Sequence, residues 1–185
     1  GYYGDRGEEV LTELSVSGDG FLPKVCREWE AAAATAADLG IRVVNLRFGV
    51  ILAAEGGALE KILPVFRLGV GGKLGSGRQW MSWISLPDVL RIIEFCINNT
   101  EIQGPVNVVS PQPVTNAEFT QMLTQRLHRL AIIPIPAFIL RAVLGEVADA
   151  ALLSSTRVLP AKLQQSIFVF DHPSLRDALQ AILPA

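Results

Sequence analysis

Apolar and polar positions along the chain alternate between two periods. Residues 41–52, IRVVNLRFGVIL, are β-branched and apolar almost without a break. That is the pattern of a parallel strand buried on both faces. The segment before it reads as a helix. It begins near Leu22, tolerates Pro23 in its first turn, runs through an alanine-rich stretch and stops at Gly40. Val25, Trp29, Ala32 and Ala33 recur on one face of it. A helix that ends in glycine and leads at once into a buried strand is half of a β-α-β unit.

The same reasoning continues along the chain. It predicts a short helix over 58–68, kinked or restarted at Pro64, and a strand over 81–86. A helix over 89–98 is opened by Leu86, Pro87 and Asp88, the last placed where the helix dipole favours a negative charge. A short strand over 106–109 follows. Thr115 and Glu118 have capping-box spacing, so a helix is expected over 116–128. Beyond it come an extended segment at 132–135, a helix over 137–153, a small helix or turn over 156–165 and an edge strand at 167–170. A final amphipathic helix over 174–182 is capped by Ser174. Residues 1–20 are polar, dotted with glycine and rich in acids, which predicts an irregular surface loop.

Residues 67–88, RLGVGGKLGSGRQWMSWISLPD, stand apart. Five glycines, at 69, 71, 72, 75 and 77, precede Trp80 and Trp83. Glycines let backbone approach a ligand or another segment closely, and an indole offers a flat face and one N–H. This stretch is either the aromatic wall of a small-molecule cleft or a hairpin whose tryptophans are core.

Composition narrows the classes. Half of the 185 residues are hydrophobic and 18% are charged, the balance of a globular protein. Net charge is −2 with no basic run, so a nucleic-acid partner is not expected. Cys26 and Cys96 read as free thiols of a reducing compartment or as one disulfide. His128 and His172 lack metal-ligand spacing, so no metal is expected. The most apolar run, 131–153, is broken by Pro134 and Pro136 and carries Arg141, Glu146 and Asp149, unlike a bilayer span. A cytoplasmic protein without a membrane partner is the expectation. The chain opens on Gly1-Tyr2-Tyr3-Gly4 without an initiator Met and reads as the middle of a longer protein.

Several motifs together resemble one family. They are Gly1-Tyr2-Tyr3-Gly4, the run from Val25 to Glu30, Leu46 to Leu52, and Gly56 to Leu59. Most specific is the stretch from Pro64 through Gly75, Gly77, Arg78, Gln79 and Trp80 to Ile84. Asn107, Val114 to Phe119, Leu144 to Glu146, and Arg157 to Pro160 also match. The chain is similar to the C-terminal two-thirds of an atypical extended short-chain dehydrogenase/reductase of the nucleoside-diphosphate-sugar epimerase-like family.

The resemblance implies an α/β fold. Residues 1–68 would be the distal part of a Rossmann-type parallel sheet that binds NAD or NADP. Residues 69–185 would be a smaller substrate lobe with a C-terminal helical extension and a strand near 106–109 that returns to the sheet. No G-x-G-x-x-G occurs here, and the resemblance puts that loop upstream of Gly1, so this piece alone is expected to bind cofactor weakly or not at all. Tyr3, Leu22, Cys26, Arg47, Phe48, Gly49 and Val50 would flank the cofactor. Arg78, Gln79, Trp80 and Trp83 would face the substrate. A guanidinium fork suits a diphosphate and an indole face suits a base or sugar ring.

The resemblance also shows departures. The superfamily's acid–base tyrosine and the lysine that lowers its pKa fall on Leu22 and Cys26, which cannot do that work. The superfamily's serine falls before Gly1. Catalytic residues are therefore unassigned, with Tyr2 or Tyr3 either a proton donor or strand-end packing. Met81 stands where true sugar-nucleotide epimerases have arginine, and Ser85 where the family has histidine. Arg47, in an apolar strand end, needs a partner, either a ligand phosphate or carboxylate or a structural acid such as Glu30. Two functions follow: an NAD(P)-dependent oxidoreductase or epimerase acting on a small polar, nucleotide-linked substrate, or a non-catalytic NAD(P)-binding scaffold or regulator. A strand at 41–52 without parallel neighbours would have bare edges, to be covered by further strands or a homodimer.

Overall fold

The computed structural model describes residues 1–129, 134–145 and 148–183. The long apolar strand forms, with one break. β2 (Val44–Phe48) and β3 (Val50–Leu52) are its two parts, separated by Gly49. β2 pairs in parallel with β6 (Gly104–Val108), and β3 pairs in parallel with β5 (Trp83–Ser85). The exchange of partner happens at the glycine. Gly49 N–H donates to Val108 O at 3.1 Å, and the next amide, Val50, donates to Ser82 O at 2.8 Å. A Cβ at residue 49 would lie 2.6 Å from the Ser82 carbonyl oxygen, so only glycine fits there.

The helices then cover these pairs. α3 (Leu86–Asn98) starts as expected, with Ser85 as its cap and Asp88 in its first turn. It packs Val89, Ile92 and Cys96 against Ile84, Val106 and Val108. α2 (Gly57–Arg67), α4 (Asn116–Leu127) and α7 (Leu175–Ile182) enclose a second core of Leu52, Leu63, Trp83, Phe119, Leu123 and Leu179. Each such side chain taken fully from water contributes about 1.5–3 kcal/mol. α2 runs straight through Pro64. The capping box of α4 is present, with Glu118 N–H on Thr115 Oγ1 at 3.2 Å and Thr115 N–H on Glu118 Oε2 at 2.7 Å. Ser174 caps α7.

Several expectations are corrected. Residues 1–20 are not a surface loop alone. They contain β1 (Val10–Leu11), paired in parallel with β8 (Arg157–Val158), and they bury Tyr3, Leu11 and Glu13. α1 (Phe21–Asp38) forms, but its apolar face is unpacked. Pro23 is its buried residue, and Trp29 is 73% exposed. The helix expected over 137–153 is α5 (Ala137–Leu144) followed by a π-helical turn (Ala148–Leu153), with Gly145 at φ +59 between them. The region 156–165 supplies β8 and then α6 (Ala161–Gln165). Residues 167–170 alternate in burial but pair with no described strand; Phe168 packs edge-on against Phe95 and Phe170. Part of the expected segment 132–135, and Glu146, lie outside the described residues.

The last pair, β4 (Trp80–Met81) with β7 (Val114–Thr115), is antiparallel. The other three pairs each join a strand before residue 68 to one after it. Among the described residues no helix is long and apolar enough to cross a membrane.

Candidate functional site

Open α/β sheets bind ligands outside the carboxyl ends of their parallel strands. Here that place is the end of the β2–β6 pair, where Arg47 and Asn107 stand opposite each other in register. Asn107 is fully buried and fully used. Its Oδ1 accepts from the Tyr3 hydroxyl at 2.7 Å, its Nδ2 donates to Leu159 O at 3.0 Å, and its backbone N–H donates to Glu13 at 3.0 Å. Arg47 grips Glu30 of α1 with two bonds of 2.7 Å, from Nε and a terminal nitrogen. Its other terminal nitrogen donates to the Tyr3 hydroxyl at 3.0 Å, and the Tyr2 ring lies 3.4 Å from its guanidinium carbon. Of the two partners open to Arg47, the structure supplies the acid.

The electrostatics follow from this packing. Burial works against the charge on Arg47, but the bonds to Glu30 and Tyr3 outweigh it and raise its pKa further. Burial raises the Tyr3 phenol above 10.0, with Arg47 pulling the other way. Tyr3 at neutral pH is thus a protonated phenol that donates and accepts hydrogen bonds; it is not a base. Glu13 anchors the floor, also accepting from the Lys162 backbone N–H at 3.3 Å. Nothing in the sequence marks Glu13, an acid among other acids in a glycine-dotted stretch.

The glycine-rich stretch divides in two. Its backbone is held from inside. Leu74 N–H donates to Asn116 Oδ1 at 2.7 Å, and Gln79 Nε2 donates to Leu74 O and Leu152 O, both at 3.1 Å. Gln79 is therefore buried and occupied. Trp83 is wholly buried, with its indole N–H on Gln112 O at 2.9 Å. Neither can face a substrate, which corrects the expectation for both. The residues between and beside them point outward. Arg78 is exposed, and its guanidinium has no hydrogen-bond partner among the described residues. Trp80 is half-buried; Arg157 covers one face of its ring at 4.2 Å, and its N–H reaches Glu8 at 3.1 Å. Glu8 carried no signal, and Arg157 was marked only as part of a matching motif, since each meets Trp80 across a long stretch of chain.

The remaining cofactor candidates offer surface without charge. Leu22 and Cys26 lie one turn apart on α1, beside Gly1. Phe48 is 44% exposed at the strand end, next to Gly49 and Val50. With Arg47 committed to Glu30, this set supplies no cationic cradle for a diphosphate. Among the described residues no group of three or more His, Cys, Asp or Glu could hold a metal ion.

Comparison with known proteins extends this picture. Residues 135–182 match a family described as a domain of unknown function, DUF1731. An epimerase family protein of Mycobacterium bovis is 43% identical over 179 residues, covering 97% of this chain and 60% of that protein. A chloroplastic epimerase family protein of Arabidopsis thaliana is 40% identical over 183 residues, covering 99% of this chain and 52% of the relative. The crystal structure of a human epimerase family protein with NADPH superposes with a TM-score of 0.92 at 36% identity, over 98% of this chain and 61% of that one. A nucleoside-diphosphate sugar epimerase from Corynebacterium glutamicum gives 0.79 at 37% identity, over 98% of this chain and 35% of that one. The chain thus spans about 60% or less of the length of these relatives. A UDP-glucose 4-epimerase of Thermus thermophilus, at 12% identity and a TM-score of 0.73, shares the Rossmann-type fold. Over the portion it spans, this chain is a homologue of proteins named as the epimerase family and shares the fold of a nucleoside-diphosphate sugar epimerase.

Proposed function

We propose that this chain is the sheet-end and substrate-lobe portion of an NAD(P)-dependent epimerase or oxidoreductase that acts on a small polar, nucleotide-linked substrate. The observation that carries the reading is the glycine-rich loop. It is fixed from within by Gln79 and Asn116 and carries an exposed, unpaired Arg78 two residues before the half-buried Trp80. A free guanidinium on a rigid support suits phosphate oxygens, and an indole edge suits a ring. The NADPH in the human relative's structure supports a nicotinamide cofactor for the whole protein. Such a cofactor supplies hydride chemistry. This chain's own residues flank its nicotinamide end and orient the substrate. The protein is read as cytoplasmic, without nucleic-acid or membrane partners. The exposed Phe21, Trp29 and Leu39 support cover by more of the protein or by a second copy.

A second reading rests on a specific observation. Leu22 and Cys26 stand where the resemblance puts the tyrosine and lysine, and the neighbouring phenol, Tyr3, stays protonated. On that reading the protein binds NAD(P) without catalysis. One experiment separates the two. Full-length protein is given NADPH and a panel of carbonyl and nucleotide-sugar substrates while the nicotinamide absorbance is followed. The enzyme reading expects turnover, with Arg78→Ala raising KM about tenfold and leaving the melting temperature unchanged. If NADPH raises the melting temperature but no substrate is consumed, the scaffold reading stands and the enzyme reading is lost.

A further inference from the structure

α4 links two different places. Its first turn holds the glycine-rich loop through Asn116; its last turn lines a cleft against α7, about 18 Å away by helix rise. The cleft holds about 180 Å³. Its floor is Met122 and Leu179, and its walls are Arg126, His128 and Arg176 with the amides of Gln125 and Gln180. Among the described residues no carboxylate lines it. In a chain of net charge −2, that is a local excess of donors and positive charge.

One wall residue, Arg126, is set in place by hydrogen bonds. Arg126 donates from Nε to the Leu183 carbonyl at 2.7 Å, and a terminal nitrogen donates to the same oxygen. The fork is thereby locked, with its remaining nitrogen uncommitted. His128 ends α4 in the left-handed conformation, φ 52 and ψ 44, which few residues other than glycine adopt. Arg176 faces them from α7, with no described hydrogen-bond partner. The space holds roughly six waters at about 30 Å³ each, below the range of about 300–1,000 Å³ for whole small-molecule pockets. The space is enough for an anionic head group, and the cleft opens to solvent.

We infer that the α4–α7 cleft binds the phosphate group of a phosphorylated small molecule, at a site separate from Arg78. The dianion sits between the Arg126 and Arg176 guanidiniums, with the two amides as further donors. Guanidinium forks match phosphate oxygens in geometry as well as charge.

The test uses full-length protein titrated calorimetrically with inorganic phosphate, at constant ionic strength set by chloride. Saturable binding to one site is expected. Arg176→Gln should weaken it about tenfold or more while leaving the phosphate-free melting temperature unchanged. Gln180→Ala should weaken it less, and Arg78→Ala should leave it as in the native protein. A response that never saturates means screening alone and overturns the inference. Binding that survives Arg176→Gln intact, or is abolished by Arg78→Ala, places the anion elsewhere and overturns it too.

Discussion

Arg47 and Arg78 are both arginines that the sequence marks as candidate ligand-binding groups, and their surroundings separate them. The Arg47 side chain is 9% exposed, gripped twice by Glu30 and covered by Tyr2. Arg78 is exposed and unpaired on a loop that is fixed underneath. A charge taken out of water must be neutralised within the fold, or the fold does not form. Arg47 is therefore spoken for before any ligand arrives, whereas Arg78 keeps its charge available. The same division runs through the tryptophans, with Trp83 inside and Trp80 at the rim. The lesson is that a functional-looking motif splits residue by residue, according to which side of the strand each member faces.

The sharpest way to break this comparison is Trp83→Ala. As a core residue its loss should cost about 3–5 kcal/mol. In a chain of this size that lowers the melting temperature by roughly 6–20 °C, readable by calorimetry or circular dichroism. A small shift with lost ligand binding would return Trp83 to the substrate wall. Next comes Glu30→Ala, which strands the Arg47 charge in a mostly buried position. About 3 kcal/mol should be lost, and Glu30→Gln should recover part of it by keeping one hydrogen bond. A neutral result would mean that water or a ligand serves Arg47 instead.

Tyr3→Phe is the smallest of the three, at about 1–2 kcal/mol, because Asn107 and Arg47 each lose a buried partner. It also has a pH signature. Burial raises the Tyr3 pKa above 10.0, so the folded state holds this proton more tightly than the unfolded chain. The contribution is whole below pH 10.0 and is lost as pH rises through the folded value. Cys96, raised by burial, and Lys162, lowered by it, titrate in both proteins. The difference between the two alkaline melting curves therefore isolates Tyr3, and identical slopes would refute its burial.

Much of the fold was legible because local signals and tertiary contacts agree. The Thr115–Glu118 box, the Ser174 cap and the β2–β3 apolar run are each written within a few residues. The break at Gly49 was not, since it reflects a change of partner strand that periodicity cannot express. The burial of residues 1–20 was hidden for a related reason. β1 is two residues long, and its partner lies near the other end of the chain. At the site, the sequence drew attention to Arg47 and Glu30 together and marked Asn107 only as a matching residue, without its role, because its side chain is held by Tyr3 and Leu159 from two distant segments. The inward turn of Gln79 depends on the carbonyl of Leu152, which no local pattern announces.

That long-range stitching has a consequence for synthesis. Ser155 N–H donates to Asp5 across 150 residues, and among the described residues the partner of β1 is β8. On a ribosome adding about 5–20 residues per second, β1 waits roughly 8–30 s for that partner, with Leu11 still lacking its Val158 neighbour. Nascent chains stalled before residue 155 should engage chaperones that those released later no longer need.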